Sequence, residues 1–135
     1  MKIVKVNIAE GKKQSVRHPI GVDLSILMDE NTVETRYLTE VITRVRPGLL
    51  LKPCHSHKDI EEIAYVVKGK GKAWIEGEVC EISEGDSLLF PANSKHMVKN
   101  TGKTTLELLC FFSSPDYRKE GLYITHENII FEGEE

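Results

Sequence analysis

His55 and His57, separated by Ser56, stand a short turn before Glu62, and His96 lies much further along the chain. Three imidazoles and one carboxylate form a nitrogen–oxygen donor set suited to a divalent transition metal. A lone His-x-His carries little weight, because most single histidines are surface or core residues. The signal is the joint pattern. In an extended strand, residues two apart share a face, so His55 and His57 can aim at one point. A reversal through Lys58 and Asp59 brings Glu62 back beside them. His96 follows Pro91-Ala92-Asn93-Ser94-Lys95, turn formers that end the apolar run Ser87–Phe90 and start a new strand. Glu61 competes with Glu62, but alternation sets Glu62, Ala64 and Val66 on one face and Glu61, Ile63, Tyr65 and Val67 on the other.

These residues must be held by strands, because helical periodicity is weak everywhere and Gly, Pro, Asn or Asp punctuate short runs of Val, Ile, Leu and Thr. The expected strands are Ile3–Ile8, Leu24–Met28, Tyr37–Arg46, Leu50–Pro53, Ile63–Val67, Gly71–Glu76, Glu78–Ile82, Ser87–Phe90, Met97–Asn100 and Leu106–Phe112. Glu76-Gly77-Glu78 reads as a tight hairpin turn and Gly69-Lys70-Gly71 as another reversal. So many short strands in one small domain imply a closed barrel or a two-sheet jelly roll, which removes exposed edges.

The same residues resemble the two signature motifs of the cupin superfamily. Gly48, His55, His57, Glu62 and Gly69 fill the first, and Gly85, Pro91, Asn93, His96 and Asn100 fill the second. The spacing from Gly48 to His55 is one residue longer than the family pattern, so a bulge is expected near Pro53, which cannot donate to a ladder. Asn93 stands where the family has glycine, and asparagine tolerates a left-handed turn. The resemblance implies an all-β, single-domain cupin-type jelly-roll barrel over residues 1–135, with a motif core at about 45–112. It also implies one metal per chain at His55, His57, Glu62 and His96, with iron or manganese first and nickel, zinc or copper as alternatives. The activities it implies span dioxygenases, decarboxylases, isomerases, lyases and sugar-binding proteins without turnover.

Of the two faces of the Tyr37–Arg46 run, the set Tyr37, Thr39, Val41, Thr43 and Val45 is the better core face, leaving the charged set outside. The cavity is then mostly apolar and suited to a small organic ligand. Ala64, Phe90, Phe112 and Thr43 are its expected lining, Tyr37 is a candidate proton donor, and Lys95 could steer an anionic substrate at the mouth. Four protein ligands leave one or two positions open on the ion, which permits chemistry. A metal-dependent enzyme of dioxygenase type is the first expectation, with a Lewis-acid isomerase or lyase next. A binding protein for a metabolite or sugar is the reading from another class.

The chain has 135 residues and a net charge of -3 with both signs interspersed, which argues against a nucleic-acid partner. No apolar stretch approaches the ~20 residues that cross a bilayer. Cys54, Cys80 and Cys110 are an odd, widely spaced set and no signal-peptide pattern opens the sequence, so a reduced cytoplasmic setting is expected. Cys54 should point away from the ligands and Cys110 should be plain core. The N-terminal strands (1–44) and the tail (113–135) are expected to cap the barrel or form a homodimer. Ile124, Ile129, Ile130 and Phe131 need burial, His126 is a surface residue by default, and Glu132–Glu135 should fray.

Overall fold

The computed structural model describes residues 2–14 and 20–131. Among the described residues, a 3-10 turn at Ile8–Glu10 is followed by eleven strands: β1 (Lys12–Lys13), β2 (Val22–Met28), β3 (Thr39–Val45), β4 (Leu50–His57), β5 (Glu62–Lys68), β6 (Lys70–Ile75), β7 (Glu78–Ser83), β8 (Ser87–Phe90), β9 (His96–Asn100), β10 (Leu106–Phe112) and β11 (Tyr123–Thr125). They form two antiparallel sheets in the orders β1-β2-β3-β10-β5-β8 and β11-β4-β9-β6-β7. Side chains alternate across each strand, and the inward sets meet in one core that includes Val41, Val45, Val66, Val98, Leu106 and Leu108. The β-branched face of β3 is indeed the inner one, with Thr39, Val41, Thr43 and Val45 all buried.

Several expectations need correction. Residues 2–7 form no strand, and Ile3 is 95 % exposed, because apolar alternation makes a strand only where a partner edge accepts it. The Gly69 turn is not a hairpin. It is a corner, since β5 belongs to one sheet and β6 to the other. A side chain on Gly69 would sit 2.9 Å from the Thr105 carbonyl oxygen, and its φ of +89° is itself a region that favours glycine. The tail contributes a strand that the sequence did not announce, β11, paired to β4 with Tyr123 opposite His57 and Thr125 opposite His55.

Other local expectations match. Glu76 and Gly77 have φ values of 47° and 90° and connect β6 to β7 as a two-residue turn. The β4–β9 register shifts between Leu51 and His55, which is the bulge expected at Pro53. Beyond it, β4 is buried on both faces. Its outer face meets a second apolar cluster, where Leu50, Cys54 and Met97 pack with Phe131 of the tail, flanked by Trp74 and Ile129. Ile130 remains 64 % exposed, and Glu132–Glu135 lie outside the described residues. No helix among the described residues is long and apolar enough to cross a membrane.

Candidate metal centre

The bulge in β4 sets the phase of the strand, so that His55 and His57 both enter the barrel while Cys54 and Ser56 turn away from it. His55 lies directly across the ladder from His96 on β9. Glu62, the first residue of β5, closes the set after the turn at Lys58–Ile60. That turn is locked to the loop before β9: Asp59 and Asn93 both adopt left-handed backbones, with φ of 57° and 68°. The Asp59 amide donates to Asn93 Oδ1 at 2.9 Å, and the Asn93 amide donates to the His57 carbonyl at 3.1 Å. The residue that replaces glycine in the second motif therefore keeps the turn and ties the ligand-bearing loops together.

His55, His57 and His96 are 5 %, 3 % and 3 % exposed, and one potential ligand atom from each lies within 4.8 Å of the others. Three buried histidines placed this way can bind a metal. Glu62 Oε1 is 3.5 Å from Nε2 of both His57 and His96. Backbone carbonyls orient two of the rings: His55 Nδ1 donates to the Pro53 oxygen at 2.9 Å and His96 Nδ1 to the Ser94 oxygen at 3.0 Å. Each such bond fixes the tautomer that leaves Nε2 as a lone-pair donor toward the centre.

The protonation states suit a cation. Burial pushes the Glu62 carboxyl up, but the adjacent imidazoles of His57 and His96 outweigh it and hold the group far below the ordinary carboxylate range. Burial, and then the neighbouring His96 and His57, keep His55 neutral well below its usual titration range. The donor set thus includes a neutral His55 imidazole and an ionised Glu62 carboxylate. A direct test of fit comes from the orphaned atoms. Nδ1 and Nε2 of His57 and Nε2 of His96 are buried without a hydrogen-bond partner. Burying such groups is costly unless something satisfies them, and a bound cation would do so for the nitrogens that face it.

The four residues open onto a cavity of about 90 Å³. Since one water takes roughly 10–15 Å³ on this measure, the space admits a handful of non-hydrogen atoms. Its walls include Leu24, Leu51, Val98 and Leu108, together with the expected Thr43, Phe90 and Phe112. Ala64 is not part of the lining; its short methyl is packed into the core. Tyr37 precedes β3 and is 74 % exposed, so it cannot serve the cavity. Lys95 does not line the cavity either.

The sequence reading missed Gln14, Tyr117, Arg118 and Tyr123, which do line it; Cys110 lies in the core as expected and also borders the same space. Tyr117 lies 5.6 Å from His57 between ring centroids and stacks on Phe112 at 4.0 Å. The Tyr123 ring stacks on His55 at 4.9 Å. Gln14 comes from the stretch after β1, and the other three from the tail, segments too irregular for periodicity to place. The one available cue was composition, two tyrosines and an arginine in a tail with unplaced apolar residues.

Comparison with known proteins agrees with this architecture. The chain is 35 % identical over 83 residues to an uncharacterized protein of Methanocaldococcus jannaschii; the match covers 62 % of this chain and 63 % of that protein's length. The fold superposes with a TM-score of 0.71 on a predicted oxalate decarboxylase from Thermotoga maritima, at 23 % identity, covering 82 % of this chain and 99 % of the other. It superposes with a TM-score of 0.75 on the polyketide cyclase RemF from Streptomyces resistomycificus, at 18 % identity, covering 97 % and 89 %. The family model described as a cupin domain matches residues 41–112, from the inner face of β3 through both ligand-bearing motifs to the end of β10, and the chain therefore belongs to the cupin family.

Proposed function

We propose that this protein is a metal-dependent enzyme acting on a small organic molecule, with one divalent transition ion held by His55, His57, Glu62 and His96. The observation that carries the reading is the set of buried, unpartnered imidazole nitrogens converging beside an ionised carboxylate at the wall of a cavity. A bound ion with open positions would supply Lewis-acid polarisation of a substrate oxygen or, if it is redox-active, dioxygen chemistry. The residues around it position the substrate and manage protons. The apolar walls exclude water and strengthen every charge interaction inside. Burial raises the pKa of Tyr117, so its phenol stays protonated and is a weaker acid than a free tyrosine; its part is to position the substrate by hydrogen bonding, at a place in the cavity that Tyr37 does not reach.

Of the two reaction types, Lewis-acid chemistry has the support of similar folds that carry a decarboxylase, a cyclase and a sugar phosphate isomerase by name. Dioxygen chemistry remains the expectation from the donor set. Elemental analysis of the purified protein, beside His55→Ala, His57→Ala, Glu62→Ala and His96→Ala, tests the centre. About one ion per chain, lost in each variant, is the expected result. A wild type that arrives metal-free and takes up no added iron, manganese, nickel or zinc overturns the reading. Oxygen uptake during turnover then separates the two reaction types.

A further inference from the structure

We propose that the cavity has an anion-holding end, built by Arg118 and Gln14 around Tyr117, that selects a small carboxylate as substrate. Tyr117 links this end to the histidines, because its ring packs on His57 while its hydroxyl donates to Gln14 Oε1 at 2.8 Å. That bond engages the amide oxygen and so sets which way the amide nitrogen points. The amide nitrogen, Gln14 Nε2, is left buried with no hydrogen-bond partner. Arg118, also in the lining, holds its backbone through Asp116 by an N–H bond of 3.0 Å to Oδ1, and its guanidinium makes no ion pair among the described residues.

An amide NH2 and a guanidinium only donate, so whatever faces them must accept. A carboxylate is the smallest group that meets both, with oxygens for the fork of an arginine and for the amide. The pair offers a single formal charge, which matches a monoanion better than a phosphate dianion. The lining also includes the aliphatic side chains of Leu24, Leu51, Val98 and Leu108, and the volume of about 90 Å³ limits the body of the ligand to a few carbons. The substrate class is therefore a short carboxylic acid bearing a second oxygen function. This inference rests on the metal-centred reading for where the second oxygen lies, but the anion-holding end itself needs no ion.

The test is isothermal titration of Mn2+-loaded and chelator-stripped protein with succinate, glutarate and adipate, the uncharged dimethyl ester of each, and inorganic phosphate. In loaded wild type, one diacid should bind at least about tenfold more tightly than its ester, the scale of one charge-assisted hydrogen bond. Arg118→Gln and Gln14→Leu should each erase that preference while leaving Mn2+ content unchanged. Arg118 is exposed, so its variant keeps the fold even if the Gln14 variant does not. A preference for the diacid that depends on Arg118 in stripped protein supports the anion-holding end even if the metal reading fails. Equal binding of diacid and ester, undetectable diacid binding, a preference that survives Arg118→Gln, or tighter binding of phosphate than of any diacid overturns the proposal. If those results come with full Mn2+ loading, the metal centre stands without it.

Discussion

The two faces of β4 are equally buried and opposite in character. On the inner face His55 and His57 carry ring nitrogens turned toward a cavity, and those of His57 find no hydrogen-bond partner. On the outer face Cys54 is 2 % exposed inside an apolar cluster, and Ser56, 4 % exposed, has its hydroxyl 2.9 Å from His126 Nε2. Burial alone does not tell the faces apart. Satisfaction does: the outer face is complete within the chain, whereas the inner face is incomplete until something arrives. A polar group kept buried and unmet is a reservoir for binding, while a met one is mortar.

The largest effect expected from breaking this contrast is on the inner face. Replacing His57 or His96 by alanine should lower metal affinity by at least about a hundredfold, measured by competition with a chelator, since a ligand lost costs more than an outer partner lost. Stripping the metal from wild type should also cost stability. At a free ion concentration about a hundred times Kd, binding adds about 2.7 kcal/mol, so melting should fall by roughly 10 °C on chelation and should not change in His57→Ala.

The outer face should answer differently. Phe131→Ala empties the cluster of Leu50, Cys54 and Met97 and should cost about 3 kcal/mol in denaturant unfolding, with one ion per chain retained. If that variant loses its metal as readily as His57→Ala, the two faces are not separable. A smaller effect, about 1 kcal/mol, is expected from Ser56→Ala, which removes one hydroxyl between two ligands and leaves the histidines in phase. Smallest of all is Asn93→Gly. The left-handed backbone is easier for glycine, which offsets the loss of the bonds to Asp59, so the net change in stability should stay within about 1 kcal/mol.

How much of this was legible in the sequence follows from where each residue gets its position. Glu62, Ala64 and Val66 are all buried and their neighbours exposed, as alternation required, because β5 has one wet face. The expected strand at Leu50–Pro53 stopped short of the full β4, Leu50–His57, because a strand buried on both faces shows no alternation to extend. The histidines were readable since their spacing is local to two turns. Gln14 and the tyrosines were not. They reach the cavity through pairings between distant segments, such as Tyr123 with His57, and no local rule encodes such a partner. The exposed Ile3–Ile8 stretch shows the converse, a good local pattern with no place in a sheet.

The pairing of β11 with β4 has one more consequence. Its three residues lie opposite His55, Ser56 and His57, so the strand that carries two ligands would be a sheet edge without them. Amide protons there should exchange with solvent at a rate governed by detachment of Tyr123–Thr125, and only secondarily by opening of the barrel. The rigidity of the centre is thus delegated to a short segment far along the chain, and hydrogen–deuterium exchange should find the ligand strand and the tail loosening together.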